Sequence, residues 1–510
     1  MKKTSLYFIP ILFIALFGRA QNPVFVKDFN PGAADAIQSW GTHFVQVNDK
    51  IFVSVSTSTD KTDLYVIKNE EPVFIKTICG GCNPPSTLLL KHNDAVIFTA
   101  KENNNTQLWV SDGTTENTLL LATLDSSPQY MLVGNNGKAY IATQSSLYLS
   151  DGSAAGTKKL NADPLDFARH LDNNDDKIFS VFKNGIAFLT NKFGEGKIQY
   201  ADEMISELAS FDAGSSFTDL SGLCEVAGGL VFAVEDDGVY HYHATTGVKK
   251  TSFKEPLRIF ELNGAAVHYH YGDGLTLLHD FPLKSTSLIK KYGFTVQTEE
   301  LPRSVVGDKM VIYIDDYNSF DNLIILIDKV TKKATDLGEI SPYPSNMVSY
   351  NENIFFFDGT FNGFSPSLYH LKGNLDKINK VKSLSFNSNS GPSVLPLGIQ
   401  NSSLFFLSNL DATKGRELYK ISTSISTSTE NLSDGVGFNL NIKNNEATII
   451  TNTNSESFDL MVFDLSGKLL FNRFVNAGVP QLLPEWKSNV IITVIDKKSG
   501  KMLTKHVFMP

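Results

Sequence analysis

The sequence predicts an all-β fold: a β-propeller of about eight to nine four-stranded blades, followed by a small C-terminal β-sandwich. Three observations carry this. A strand ending in an Asp-Gly turn, Leu108-Trp109-Val110-Ser111-Asp112-Gly113-Thr114, returns at Leu147-Tyr148-Leu149-Ser150-Asp151-Gly152-Ser153 and runs on into Ala154-Ala155-Gly156-Thr157. Worn copies stand at Leu64-Tyr65-Val66-Ile67, Leu368-Tyr369-His370-Leu371 and Glu417-Leu418-Tyr419-Lys420. A second landmark, a polar turn followed by an apolar strand, recurs about every 44 residues, the period of a propeller blade. Finally, Phe and Tyr are plentiful, Cys is scarce, and no long stretch places apolar residues at i, i+3 and i+4 as an amphipathic helix requires.

In chain order, residues 1–20 read as a secretory signal peptide. Lys2 and Lys3 precede an apolar run over 6–17, and Gly18-Arg19-Ala20 offers a small-residue cleavage site. The run is shorter than the roughly 20 apolar residues that span a bilayer, and nothing later approaches that length, so no transmembrane segment is expected after cleavage. Cleavage removes three cations and no acid, so the formal charge moves from −9 to −12. An acidic chain without a basic run argues against a nucleic-acid partner.

Residues 21–433 form the expected propeller. Its inner turns are read at Asn48-Asp49, Asn93-Asp94, Asn136-Gly137, Asp175-Asp176, Gly228-Gly229, Asn263-Gly264, Gly307-Asp308, Asn351-Glu352 and Asn401-Ser402. Such pairs accept positive φ cheaply and suit tight hairpins. The first unit reads as four strands, over 44–47, 50–54, 64–67 and 73–78. Blades are covered on both faces, which accounts for runs that do not alternate, such as Ile354-Phe355-Phe356-Phe357. The last unit has a poor fourth strand near 429–432. Val24-Phe25-Val26-Lys27-Asp28 is expected to complete it and close the ring. Trp109, Tyr148, Tyr369 and Tyr419 each adjoin a Leu and are expected to pack between blades rather than form a sugar platform. The Ser/Thr-rich run 422–429 reads as a linker, and 434–510 as the β-sandwich.

The repeat resembles the ELWxxDGT family of secreted bacterial proteins, carried by Leu108 to Thr114 with Gln107 where Glu is usual, and by Leu147 to Thr157. Lys27-Asp28-Phe29-Asn30-Pro31-Gly32 is similar to that family's linker between units. The resemblance implies a propeller-like repeat on an exported or surface protein and implies no catalytic activity. From about Asn439 the chain resembles the sorting domain read by the type IX secretion system. Its central hairpin is Phe458-Asp459-Leu460-Met461-Val462-Phe463-Asp464-Leu465-Ser466-Gly467-Lys468-Leu469-Leu470. That resemblance implies the type IX machinery as a partner of residues 439–510 and an outer-membrane cell-surface or secreted destination.

Candidate chemistry is sparse. Cys79-Gly80-Gly81-Cys82 is a C-x-x-C pair, but Pro84-Pro85 follows and no βαβ pattern surrounds it, so a local structural disulfide is favoured over a redox site. His241, His243, His268 and His270 form two i, i+2 pairs, each on one strand face. If adjacent blades joined those faces, four imidazoles could hold zinc or copper; ordinary aromatic strands are the competing reading. Acidic turns at Asp172-Asn173-Asn174-Asp175-Asp176, Glu235-Asp236-Asp237-Gly238 and Asp315-Asp316-Tyr317-Asn318 offer oxygen ligands for calcium but suit solvated turns better. There is no nucleophile elbow, zincin motif or phosphate loop, and no cofactor is expected. The favoured function is binding: adhesion, glycan capture or contact with a surface protein. A polysaccharide hydrolase or lyase with its site in the channel, or a structural surface component, are the alternatives.

Overall fold

The computed structural model describes residues 23–423 and 438–509, except 33–35, 37–43, 59–60, 81–87, 103–104, 169–177, 215–219, 254–257, 271–273, 290–302, 317–320, 340–344, 346, 359–365, 374, 376, 384–393, 412, 444–445, 452–456, 465–468, 477–478, 480, 483–487 and 497–501. The described residues contain strands, turns and bends but no helix. The chain divides into two compact units, Met1–Ile421 and Ser422–Pro510.

The first unit is a β-propeller. Among the described residues it contains nine four-stranded antiparallel blades; seven are separate sheets, and the first two are joined into one eight-stranded sheet by a parallel bridge between Cys79 and Lys101. Blade 1 comprises Phe44–Val47, Lys50–Ser58, Lys61–Lys68 and Glu71–Gly80, matching the unit read from the sequence with longer second, third and fourth strands. Blades 2 to 8 follow at 89–123, 130–159, 179–212, 220–250, 258–289, 303–339 and 348–383. Blade 9 takes three strands from 394–422, and Val24–Lys27 supplies the fourth, pairing antiparallel with Glu417–Ser422. The expected closure is therefore the one formed. First strands of neighbouring blades lie beside one another around the channel, and the fourth strands form the exposed rim.

The blades stack through alternating side chains. Along Leu64–Tyr65, Leu108–Trp109, Leu368–Tyr369 and Leu418–Tyr419, the aromatic residue faces the preceding blade and the Leu the following one. Tyr148 likewise faces blade 2, while Leu147 and Leu149 face blade 4. The apolar layers link every successive pair of blades and return from blade 9 to blade 1. This is why the strands are apolar on both faces: Ile354 and Phe356 serve one layer, Phe355 and Phe357 the next. Each buried Leu or Phe contributes about 1.5–3 kcal/mol. The expectation of interior aromatics holds for Tyr148 and Tyr419, whereas Trp109 and Tyr369 are half-buried at the edges of their layers. The Lys76 ammonium lies 3.9 Å from the Trp109 ring centroid and covers part of it.

Two inner turns differ from their sequence assignments; that of blade 5 is shifted by one residue, to Ala227-Gly228. In blade 4 the first strand is Phe179–Phe182, and the turn is Lys183-Asn184, not Asp175-Asp176. Lys183 takes the positive φ of 50° that a tight hairpin needs, a role the sequence reading gave to the Asp/Asn cluster. That cluster lies outside the described residues.

The linker between blades 2 and 3 is pinned by Asp125. Its carboxylate accepts hydrogen bonds from Thr143 Oγ1 at 2.9 Å, Lys159 Nζ at 3.0 Å and the Ser146 hydroxyl. Burial acts to raise its pKa, but the Ser146, Lys159 and Thr143 donors prevail and hold it at about 2. A depressed carboxylate stabilises the fold above its unfolded value of about 4, and that contribution disappears as pH falls from about 4 to about 2. Asp125→Asn should flatten this part of the acid-unfolding curve; a parallel curve for the variant would refute the assignment.

The second unit contains a three-stranded and a four-stranded antiparallel sheet, in keeping with the expected sandwich. Phe458, Leu460 and Val462 alternate on one buried face with Ile492 and Val494 of the paired strand. The division between the units falls at Ile421–Ser422, where the described ladder of blade 9 ends.

Candidate functional site

The Asp-Gly-Thr turn lies between the third and fourth strands. Asp112 Oδ1 accepts from Thr114 N at 2.9 Å and Thr114 Oγ1 at 2.8 Å, while Oδ2 accepts from Asn117 Nδ2 at 2.8 Å. Ser111 Oγ meets Thr118 Oγ1 at 2.9 Å and accepts from Gly113 N. Blade 3 repeats the network: Asp151 with Ser153, Ser150 with Thr157, and Gly152 N with Ser150 Oγ. Gly113 and Gly152 hold φ near +93° and +90° and sit against blades 1 and 2. A Cβ on Gly113 would be 3.4 Å from Phe52 and Val66, and one on Gly152 would be 3.0 Å from the His92 ring. The motif is therefore a clasp by which one blade grips its predecessor. Lys50 Nζ completes that contact by donating to Asp112 O at 2.7 Å.

Other blades clasp with different chemistry at the same place. Glu70 of blade 1 pairs with Lys420 of blade 9 at 2.7 Å, and its backbone N–H donates to Gln400. Glu203 of blade 4 pairs with Lys138 and Lys158 of blade 3. Lys332 of blade 7 reaches His279 and Asp280 of blade 6. These are contacts of architecture and leave the inner turns as the candidate binding face.

A pocket of about 390 Å³ opens there across blades 3 to 6. Asn135, Lys183, Glu225, Glu261 and Asn263 are its polar lining residues. Its walls are rigidly placed. Asn135 Nδ2 donates to Lys183 O at 2.7 Å, and Asn136 N to Asn184 O at 2.7 Å. Glu225 N donates to Ser180 Oγ at 3.0 Å, and Glu225 Oε1 accepts from Gly228 N at 2.5 Å. Asn263 Nδ2 donates to Asp308 Oδ1 at 2.9 Å. The Lys183 ammonium lies over the Phe182 and Tyr200 rings, at 5.3 and 5.7 Å. Asn263-Gly264 and Gly228 were visible in the sequence as turn residues; the convergence of these turns on a pocket was not.

The four histidines stand on two strands of neighbouring blades. His241 and His243 lie on the third strand of blade 5, and His268 and His270 on the second strand of blade 6. Among the described residues no three His, Cys, Asp or Glu side chains gather to hold a metal ion. Phe281, from a turn of blade 6, stacks on His243 at 3.5 Å and lies 6.1 Å from His241. His243 Nδ1 meets Thr245 Oγ1 at 2.8 Å and Thr245 N at 3.3 Å, the place that Asp112 Oδ1 fills in blade 2. Accepting there puts the proton of the neutral ring on Nε2, which removes it as a metal ligand. Burial, and then the nearby His243, lower the pKa of His241, so it stays uncharged. His268 packs beside Phe253 at 5.6 Å and parallel to His270 at 6.2 Å. All four histidines stand in strands rich in aromatic residues.

Of the acidic turns, Asp237 pairs with Lys250 and accepts from Tyr240, as a solvated turn does. The clusters at 172–176 and 315–318 lie outside the described residues or side chains. Cys79 is disulfide-bonded, and Cys224 keeps a buried thiol in the layer between blades 5 and 6. Cys82 lies outside the described residues. Alkylation without reductant should label one thiol, at Cys224, with Cys79 and Cys82 recovered as a linked peptide; three labelled thiols would refute that pairing.

No family model matches the chain, and no curated protein matches it. Solved structures with a similar fold include Sqt1 of Saccharomyces cerevisiae, at 10% identity and a TM-score of 0.39, covering 79% of this chain and 99% of that one. An oligogalacturonate lyase of Vibrio parahaemolyticus matches at 10% identity and 0.34, covering 65% and 86%. TolB of Acinetobacter baumannii matches at 11% and 0.29, covering 68% and 79%. At these identities and scores the likeness carries nothing about activity. No helix among the described residues is long and apolar enough to cross a membrane.

Proposed function

We propose that this chain is an exported, surface-attached propeller that binds a glycan or a surface protein. The observation that carries the binding role is the polar pocket at the inner turns of blades 3 to 6, whose walls are held by hydrogen bonds between blades. The signal-like residues 1–20 support export. The ELWxxDGT-like repeats support a surface location, and the C-terminal resemblance supports recognition of residues 439–510 by the type IX machinery. A glycan array probed with the full mature chain tests the binding role. Binding with the sugar chains left intact is expected; shortened chains in chromatography would favour a hydrolase or lyase instead. Deleting residues 439–510 should leave a folded propeller in the periplasm, and normal surface display of that truncation would rule out the sorting role.

A further inference from the structure

We infer that the seam between blades 5 and 6 is an acid-sensitive joint, with His241 as the group that opens it. The seam runs through the pocket: Glu225 and Gly228 belong to blade 5, and Glu261, Asn263 and Gly264 to blade 6. At the inner turns it is tied by Ala227 N, which donates to Gly264 O at 3.2 Å. Its described apolar layer holds no buried Phe or Tyr, whereas each of the other described layers of the propeller does. This seam therefore has less apolar burial to lose on opening.

His241 is buried on the third strand of blade 5 and faces this seam, as Val239 does two residues earlier. Its Nε2 has no hydrogen-bond partner among the described residues. That nitrogen stands 2.7 Å from where a Cβ on Gly229 would lie, directly behind Gly228 of the pocket. A neutral ring suits the place, with the proton on Nδ1 and the lone pair on Nε2. Protonation puts a second N–H and a charge on Nε2, where no described group accepts it. The charged groups around the ring give no relief. On blade 5, Lys249 lies directly opposite His241 in the ladder, and His243 stands two residues on; both add positive charge. Glu225 already holds Gly228 N through Oε1, and Glu235 has a partner of its own. On blade 6, Asp280 is held by Lys284 and Lys332, and Glu261, His268 and His270 are likewise partnered. Phe281 covers the ring, so the charged form reaches water only when the seam opens. Burial, and then His243, hold the His241 pKa below the ordinary imidazole value of about 6.5. The closed seam is therefore at full strength above about pH 6.5 and weakens as pH falls from there. Opening splits the pocket, so acid also releases what it binds; that consequence alone rests on the binding role proposed above.

Hydrogen exchange of the full mature chain tests this, with labelling times scaled for the intrinsic effect of pH on exchange. Between about pH 7.5 and about pH 5.5, protection over residues 229–243 and 258–270 should fall about tenfold, the limit for one linked proton over the last unit. Blades 3 and 4, whose described strands contain no histidine, should keep their protection. His241→Gln should abolish the acid loss at the seam. Should that variant fail to fold, imidazole NMR of the parent chain decides: His241 should gain its proton below about pH 6.5, in step with the loss of protection. Seam protection that holds at about pH 5.5, an equal loss in blades 3 and 4, or protonation of His241 at or above about pH 6.5 would overturn the joint. None of these outcomes touches the binding role, which the glycan array decides.

Discussion

Gly185→Ala is expected to destabilise the propeller by about 3 kcal/mol or more, since the added methyl has no space to enter. A Cβ at this position would lie 2.0 Å from the Ala201 carbonyl oxygen and 2.9 Å from the Tyr140 hydroxyl. Neither neighbour can yield. Ala201 pairs with Ile186 in the ladder of blade 4, and Tyr140 is fully buried, donating to Asp202 O and accepting from Asn136 Nδ2. Burial raises the Tyr140 hydroxyl to about 12, so it stays a neutral donor over the working range of pH. Gly137→Ala is the control. Its φ is +72° but nothing lies within 4 Å of the new methyl, so only backbone strain of about 1 kcal/mol applies. Urea denaturation should separate the two variants clearly; equal midpoints would show that the blade 3–4 contact is looser than its distances imply.

Removing residues 23–27 should have an effect of similar size by a different route. The third strand of blade 9 would lose its pairing partner and become an edge. The edge-on contact of Phe25 with Tyr419 at 5.5 Å would go, together with the Lys414 ammonium held 4.5 Å from the Phe25 ring. Just beyond the cut, Phe29 N donates to the buried Glu417 Oε2 at 2.6 Å, and the Phe29 ring packs on Tyr65 of blade 1. The ring would still be held by the blade 9–1 layer, by Gln46, which exchanges hydrogen bonds with Ile399 N and O, and by the contacts of Glu70 with Lys420 and Gln400. Melting should fall by several degrees and self-association should rise with concentration. A peptide covering residues 22–32, added in trans, should reverse both in a dose-dependent way. A truncated chain that stays monomeric and melts like the full one would show that the strand is ornamental to closure.

How far the sequence could be read depended on the range of the interaction. The Asp-Gly-Thr turn was legible as a turn because its hydrogen bonds stay within seven residues, from Ser111 to Thr118. The Leu–aromatic pairs were legible as two-faced, since neighbouring residues on a strand point opposite ways. Closure by Val24–Lys27 was legible because an incomplete last unit and a spare first strand can satisfy each other. Blade 4 was misread where two polar stretches competed for one turn, and Lys183 took the positive φ.

Local periodicity and turn chemistry thus determined the blades, their near-complete spacing and the closing strand, because each depends on backbone geometry over a few residues. Tertiary structure alone decided what faces what. Spacing placed His241 and His243 on one strand face, but Phe281, which covers them, lies about 40 residues away on the next blade. Gly113 could be assigned to a turn, but not to the surface of Phe52 against which it fits. The pocket draws on blades 3 to 6, from Asn135 to Gly264, and no window of sequence holds it. The amides of Asn135 and Asn263 are tied by hydrogen bonds that run between blades.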